Sequence, residues 1–153
     1  MNLAEPIHAT TVVEHDFAAS PARVFAACSD PALRRQWDLP GDDSWELAEM
    51  VLEPRVGGRE YSRFGPKGDA RYWSEGRFLD VVPDLRLVSA GTMHAGDTRI
   101  TSTLCTIQLV PRGTGTHLVL TDQSVFLTDI EKPSDRRQGW AEIAAKLARF
   151  LQQ

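Results

Sequence analysis

The side chains that most often carry recognisable chemistry are scattered in this sequence. The four histidines, His8, His15, His94 and His117, share no metal-ligand spacing with one another, so no metal is expected. His15 and His117 read as surface strand residues, and His94, at a strand end beside the turn "AGD", reads as solvent-facing. There is no GxSxG elbow, no HExxH, no Walker loop, no GxGxxG and no CxxC. Ser102 and Ser124 have no evident base, and Asp42-Asp43 is a loop pair that is either solvated or at the rim of a cavity. What remains are two carboxylates on strand-like runs, Glu60 in "GREYSRF" and Asp122 in "LVLTDQSVF". Two acids on one concave face could bind an amine or a hydroxyl, or act as acid and base. A buried carboxylate without a partner is costly, so each must protonate or find one.

Composition narrows the classes. The chain has 153 residues, which is expected to make one domain spanning 1–153. With 42% hydrophobic and 25% charged residues it has the make-up of a globular protein. The net charge is −4 and the longest basic runs are the pairs Arg34-Arg35 and Arg136-Arg137, so nucleic acid is not an expected partner. No apolar stretch reaches the length of a membrane span. The opening "MNLAEPIHATTVVEHDF" has no basic-then-apolar leader, and Cys28 and Cys105 read as isolated reduced thiols. A cytoplasmic location is expected.

The elements that must position the acids follow from local signals. Ile7 to Phe17 is rich in Thr and Val and reads as a strand. Ser20-Pro21 and Asp30-Pro31 each start a helix as N-cap and N1, so two short helices follow, the second closed by Trp37. "WELAEMVLEP" reads as a strand ended by Pro54, and Gly57-Gly58 as the hairpin after it, where positive φ costs glycine nothing. Further strands are "RYWSEGRFLDVV", "LRLVSAGTMH", "TRITSTLCTIQLV" and "THLVLTDQSVF", separated by "PD", "AGD" and "PRGTG". The last helix is expected from Ser134, as its cap, to about Leu151. Trp140, Ile143, Ala144, Leu147 and Leu151 make one apolar stripe on it, with Arg136, Arg137, Glu142 and Lys146 elsewhere. The fold class is α+β: a curved antiparallel sheet of about six to seven strands wrapped around a long C-terminal helix, with two short helices after the first strand.

That order, with "SPARVFAACSDPALRRQW", "EPRVGG", "EGRFLDVVPDLRLV", "LVPRGTGTHLVLT" and "GWAEIAAKLARFL", resembles the START-like (SRPBCC) superfamily with its helix-grip fold. Within it the chain is similar to the branch of homologues of the activator of heat-shock protein 90 ATPase. The resemblance implies a cavity between the long helix and the concave sheet, usually for a small hydrophobic or amphipathic molecule. Relatives include binders of lipids, sterols, plant hormones or polyketides, and a few polyketide-cyclase-like enzymes; no cofactor is implied. The family usually shows an aromatic near residue 60 and a histidine near residue 122, where this chain has Glu60 and Asp122.

Strand alternation, anchored on those segments, turns Glu60, Ser62, Phe64, Tyr72, Ser74, Gly76, Phe78, Leu87, Ser89, Gly91, Met93 and Asp122 inward. A slip of one residue would instead put Tyr61 inside and Glu60 out. The small residues among them leave space opposite Trp140, unless Trp37 and Trp45 fill it. The expected ligand contacts are Trp37, Trp45, Glu60, Phe64, Tyr72, Phe78, Met93, Asp122 and Trp140, with Glu60 and Asp122 as the only catalytic candidates. Non-catalytic binding is the first reading; a cyclase or hydrolase-like enzyme and a co-chaperone-like interaction module are alternatives. Trp73 and Leu79 are expected on the outer sheet face, where they could support a protein partner or a homodimer. The activator itself carries a further N-terminal domain that this sequence lacks, so no stimulation of the heat-shock ATPase is expected.

Overall fold

In the computed structural model, which describes residues 5–152, one sheet and three helices follow from these signals. The segment 1–4, part of the stretch read for a leader, lies outside the described residues. The elements are β1 (Ile7–Phe17), α1 (Pro21–Ser29), α2 (Pro31–Arg34), β2 (Trp45–Leu52), β3 (Arg59–Pro66), β4 (Tyr72–Val82), β5 (Arg86–Ala95), β6 (Thr98–Arg112), β7 (Gly115–Phe126) and α3 (Pro133–Leu151). The seven strands form one antiparallel sheet in the order β1-β7-β6-β5-β4-β3-β2. Among the described residues no helix is long and apolar enough to cross a membrane.

The helix starts obey the cap rule. Ser20 accepts a hydrogen bond from the Arg23 backbone N–H, and Asp30 accepts one from that of Ala32, each just before a proline. The second helix is one turn only. The Arg34 carbonyl accepts from the N–H groups of both Trp37 and Asp38, so Trp37 lies in a following turn rather than closing a helix. The third helix also starts earlier than expected. Pro133 is at N1 and Lys132 is the cap residue; Asp135 closes the turn by accepting from the Lys132 N–H at 2.9 Å. Ser134 is therefore inside the helix.

The two glycines of the β2–β3 connection have different reasons. Gly57 has φ +81°, the left-handed region. Gly58 is instead pinned by close approach, since a Cβ there would stand 1.9 Å from the Glu53 carbonyl oxygen. Gly76 and Gly91 face each other across β4 and β5, and a Cβ on Gly91 would lie 2.3 Å from the Glu75 carbonyl. Cross-strand glycines this tight mark the bend that makes the sheet concave.

Only half of α3 packs on a solid core. Ile143, Leu147 and Leu151 bury against Val24, Phe17, Leu109, Leu118 and their neighbours. Each such side chain stabilises by about 1.5–3 kcal/mol. The first turn of the helix is anchored to β6 and β7 by the buried Arg136, and the stretch around Gly139 and Trp140 borders open space above the sheet. The outer face carries no joint Trp73–Leu79 patch: Leu79 is exposed in a β-bulge, whereas Trp73 stacks on His94 at 3.7 Å. Trp73 and Leu79 are six positions apart, about 20 Å of strand. His94, expected in solvent, is buried under that indole and pairs with the Thr92 hydroxyl at 2.9 Å.

Candidate functional site

Sheet register assembles the site row by row. Phe64 pairs with Tyr72, Ser62 with Ser74, Glu60 with Gly76, and Gly76 in turn with Gly91. Ser89 pairs with Cys105, and Cys105 with Asp122. All of these point to the concave side, and with α3 above they border a cavity of about 630 Å³, within the usual range of ligand pockets. The inward phase expected for Glu60 is the one adopted. Tyr61 takes the opposite phase, with Arg59 over its ring.

One end of the cavity is aromatic. Trp45 stacks on Tyr72 at 5.6 Å, and Phe64 lies 6.0 Å from Tyr72. The loop between α2 and β2 forms the rim beside them, held to α3 by Lys146, whose ammonium donates to the Leu39 and Gly41 carbonyls. Ser62 and Ser74 share a hydrogen bond of 3.0 Å on the wall, and Met93 lies beside Ser74 in the next strand. Phe78, Leu87 and Ile107 close the apolar bottom.

The two acids are both in the cavity wall, and each is joined to an arginine. Glu60 meets the Arg34 guanidinium at 3.0 Å, and Arg34 also donates to Asp38 at 2.8 Å and to the Cys28 carbonyl at 3.2 Å. Burial works against the Arg34 charge, yet Asp38 and Glu60 together raise its pKa. Asp122 is 1% exposed and lies in a denser network. One of its oxygens accepts from Ser124, while the other accepts from Arg136 at 3.0 Å and from the Trp140 indole at 2.7 Å. Arg136 further donates to Thr101, Thr103, Ser124 and both oxygens of Glu131, and its cation lies 5.4 Å from the Phe126 ring centroid. Burial is again opposed, here by Glu131 first and then Asp122, and the Arg136 pKa is raised. This network fixes where α3 starts on the sheet and aims Trp140 into the cavity.

The placement of the expected contacts is therefore mixed. Trp45, Glu60, Phe64, Tyr72, Phe78, Met93, Asp122 and Trp140 line the cavity. Trp37 does not: it is 4% exposed in the core, where its indole donates to the Ala27 carbonyl at 3.0 Å. Arg34 and Arg136, which the sequence shows only as members of basic pairs, are the buried counterions. A demand could have found them, since an inward acid needs a cation on a facing element and these are the arginines of α2 and of the first turn of α3.

The thiols are unreactive in character. Burial pushes Cys28 up to about 12. Cys105, between Ser89 and Asp122, is raised by burial and then by the charges of Glu60 and Asp122. Among the described residues no group of histidines, cysteines and acids is arranged to hold a metal ion.

Comparison with known proteins adds the following. The family model for "Activator of Hsp90 ATPase homolog 1-like protein" matches residues 18–152. A protein from Rhizobium loti of known structure is 35% identical, with a TM-score of 0.85 over 96% of this chain and 99% of that one. One from Rhizobium leguminosarum is 32% identical, with a TM-score of 0.82 over 97% of each chain. A protein from Silicibacter pomeroyi, described as belonging to the same family, is 24% identical and shares the fold, with a TM-score of 0.75 over 94% of this chain and 98% of that one. No curated protein matches this chain.

Proposed function

The chain belongs to the family of activator of Hsp90 ATPase homolog 1-like proteins, and from that premise we propose that it binds a small amphipathic molecule in the cavity without transforming it. The observation that carries the proposal is the open-mouthed cavity of about 630 Å³ between α3 and the sheet, aromatic at one end and acid-lined toward the other, in place of a filled core. Packed interiors leave few voids larger than a water molecule, so a space of this size is a feature the sequence maintains. The Arg136–Asp122 and Arg34–Asp38 networks hold its walls apart.

The absence of turnover follows from how the acids are held. General acid–base work needs a carboxyl group free to exchange a proton with a substrate. Asp122 accepts from three side chains, and Arg136 neutralises it. Glu60 keeps one oxygen free of Arg34, but with Asp122 held it lacks the second carboxyl that an acid–base pair requires. Ser124 hydrogen-bonds to Asp122 but stands inside the Arg136 network rather than in the cavity lining. Cys105 is raised well away from the thiolate form.

Titration with the neutral fluorophore N-phenyl-1-naphthylamine tests the proposal. Saturable one-to-one binding is expected, reduced at least tenfold by Ser74→Leu, which fills the space beside Met93. No saturable binding, or equal binding by a folded Ser74→Leu variant, would overturn it.

A further inference from the structure

The cavity wall has a strongly one-sided charge. Seven acidic residues line it, Asp38, Asp42, Glu60, Asp122, Glu131, Asp135 and Glu142, against the guanidiniums of Arg34 and Arg136. Counting also Lys146, which holds the rim loop, an excess of four negative charges remains. Clefts lined by one sign of charge and apolar walls concentrate ions of the other sign.

Neither guanidinium is available to an incoming anion. Arg136 is occupied by Asp122, Glu131 and three hydroxyls. Arg34 is flanked by Asp38 and Glu60, and the three together carry one net negative charge.

Two polar groups remain open to a ligand. The Glu60 side chain is 25% exposed and its contact to Arg34 uses one oxygen, Oε2; the other has no partner among the described residues. Ser89 is only 8% exposed and lines the cavity, and its hydroxyl has no hydrogen-bond partner among the described residues. Among the described residues no side-chain polar atom sealed from solvent lacks a partner, so this hydroxyl opens to the cavity space, where a ligand can meet it. Glu60 is opposite Gly76 and Gly76 opposite Gly91, while Ser89 lies two residues from Gly91 on the same strand, opposite Phe78; the wall between Glu60 and Ser89 is therefore glycine backbone with the Phe78 ring beside it. A group that donates hydrogen bonds to both, carries positive charge and continues into an apolar body fits this arrangement. The body then runs past Ser62 and Ser74 toward the Trp45–Tyr72–Phe64 wall.

We infer that the cavity selects amphiphiles with a protonated amine head, which donates to Glu60 and Ser89. The inference rests on the binding proposal above and adds the chemical class of the ligand. A neutral alcohol would lose the charge pairing, and a carboxylate would meet the acidic wall.

The test is calorimetric titration of the full chain with octylamine, octanol and octanoate at pH 7. Hydrogen bonds to a charged group imply octylamine binding about tenfold or more tighter than octanol, with octanoate weakest. Glu60→Gln is expected to bring the amine-to-alcohol ratio within about threefold, and Ser89→Ala, which touches no ion pair, to lower it several-fold. Octanol or octanoate binding as tightly as octylamine, or a ratio unchanged in both variants, would overturn the inference and leave the cavity proposal standing. No measurable binding of any of the three would overturn both.

Discussion

Replacing Arg136 by methionine isolates the cost of a buried acid. Methionine keeps an unbranched apolar side chain of similar reach but removes the guanidinium that lies over Phe126 and donates to Asp122, Glu131, Thr101, Thr103 and Ser124. Asp122, 1% exposed, then has two choices. It can stay ionised with only Ser124 and Trp140 as donors, which for a buried pair broken on one side costs about 3–5 kcal/mol. Or it can take up a proton. An unfolded aspartate titrates near 3.9, and each pH unit is worth about 1.36 kcal/mol, so protonation at pH 7 costs about 4 kcal/mol. The cheaper route sets the loss, and the two estimates agree near 4 kcal/mol.

The same reasoning gives a pH signature. A carboxyl that is protonated in the folded variant binds more protons folded than unfolded, so stability rises as pH falls toward 3.9. Between pH 7 and pH 5 the gap between variant and wild type is expected to narrow by about 1.4 kcal/mol per unit. Urea unfolding followed by circular dichroism at both pH values measures it. A loss below about 1 kcal/mol at pH 7 would refute the argument that Asp122 needs this cation. A full-size loss that does not change with pH would refute the protonation route.

Further substitutions test other links. Gly91→Ala is expected to cost at least about 2 kcal/mol, because the new Cβ meets the Glu75 carbonyl at 2.3 Å and backbone must move; a thermal melt within a degree of wild type would contradict this. Gly57→Ala meets nothing within 4 Å and should cost only the left-handed backbone penalty of about 1–2 kcal/mol, with Gly58→Ala clearly worse; the reverse order in urea unfolding would show the turn is misread. His117, hydrogen-bonded to Glu14 and then Asp16, has its pKa raised above the ordinary value. Its contribution is therefore present below about pH 6.5 and lost as pH rises through the raised value, and an NMR titration midpoint at or below 6.5 would contradict that.

Period-two alternation made the inner face of the sheet readable, because every slip would expose an entire row. Glu60, Ser62 and Phe64 in β3 and Tyr72, Ser74, Gly76 and Phe78 in β4 therefore sit where the pattern puts them. After Phe78 a bulge adds a residue, so Val81 rather than Asp80 returns to the core side, and no local signal announces this. The start of α3 was legible but passed over: Pro133 marks N1 as Pro21 and Pro31 do, which puts the cap at Lys132. Arg34 and Arg136 were hidden for a deeper reason. Each sits in an Arg-Arg pair that reads as a solvated face, and only the three-dimensional position of Glu60 or Asp122 chooses the arginine that turns inward. Trp37 failed in the opposite sense, since nothing local separates an indole that fills the core from one that lines a cavity. His94 alternates outward as its strand requires but is roofed by Trp73 from the neighbouring strand, a cross-strand pairing that a single segment does not reveal.

The pairing of β1 with β7 sets the order in which the molecule can assemble. Ile7 has Phe126 as its partner and Phe17 has Thr116, so the earliest strand has no neighbour until the last one exists. β2 to β7, by contrast, form consecutive hairpins that can zip as they are made. Closing so long a loop carries an entropic cost before any contact offsets it, and folds dominated by such contacts assemble slowly. On the ribosome, β1 with α1 and α2 must wait until residue 126 has cleared the exit, and α3 docks after that. For most of synthesis the apolar residues Val24, Cys28 and Trp37 thus have no sheet to cover them, and that interval is when the nascent chain is most exposed to aggregation or to a chaperone.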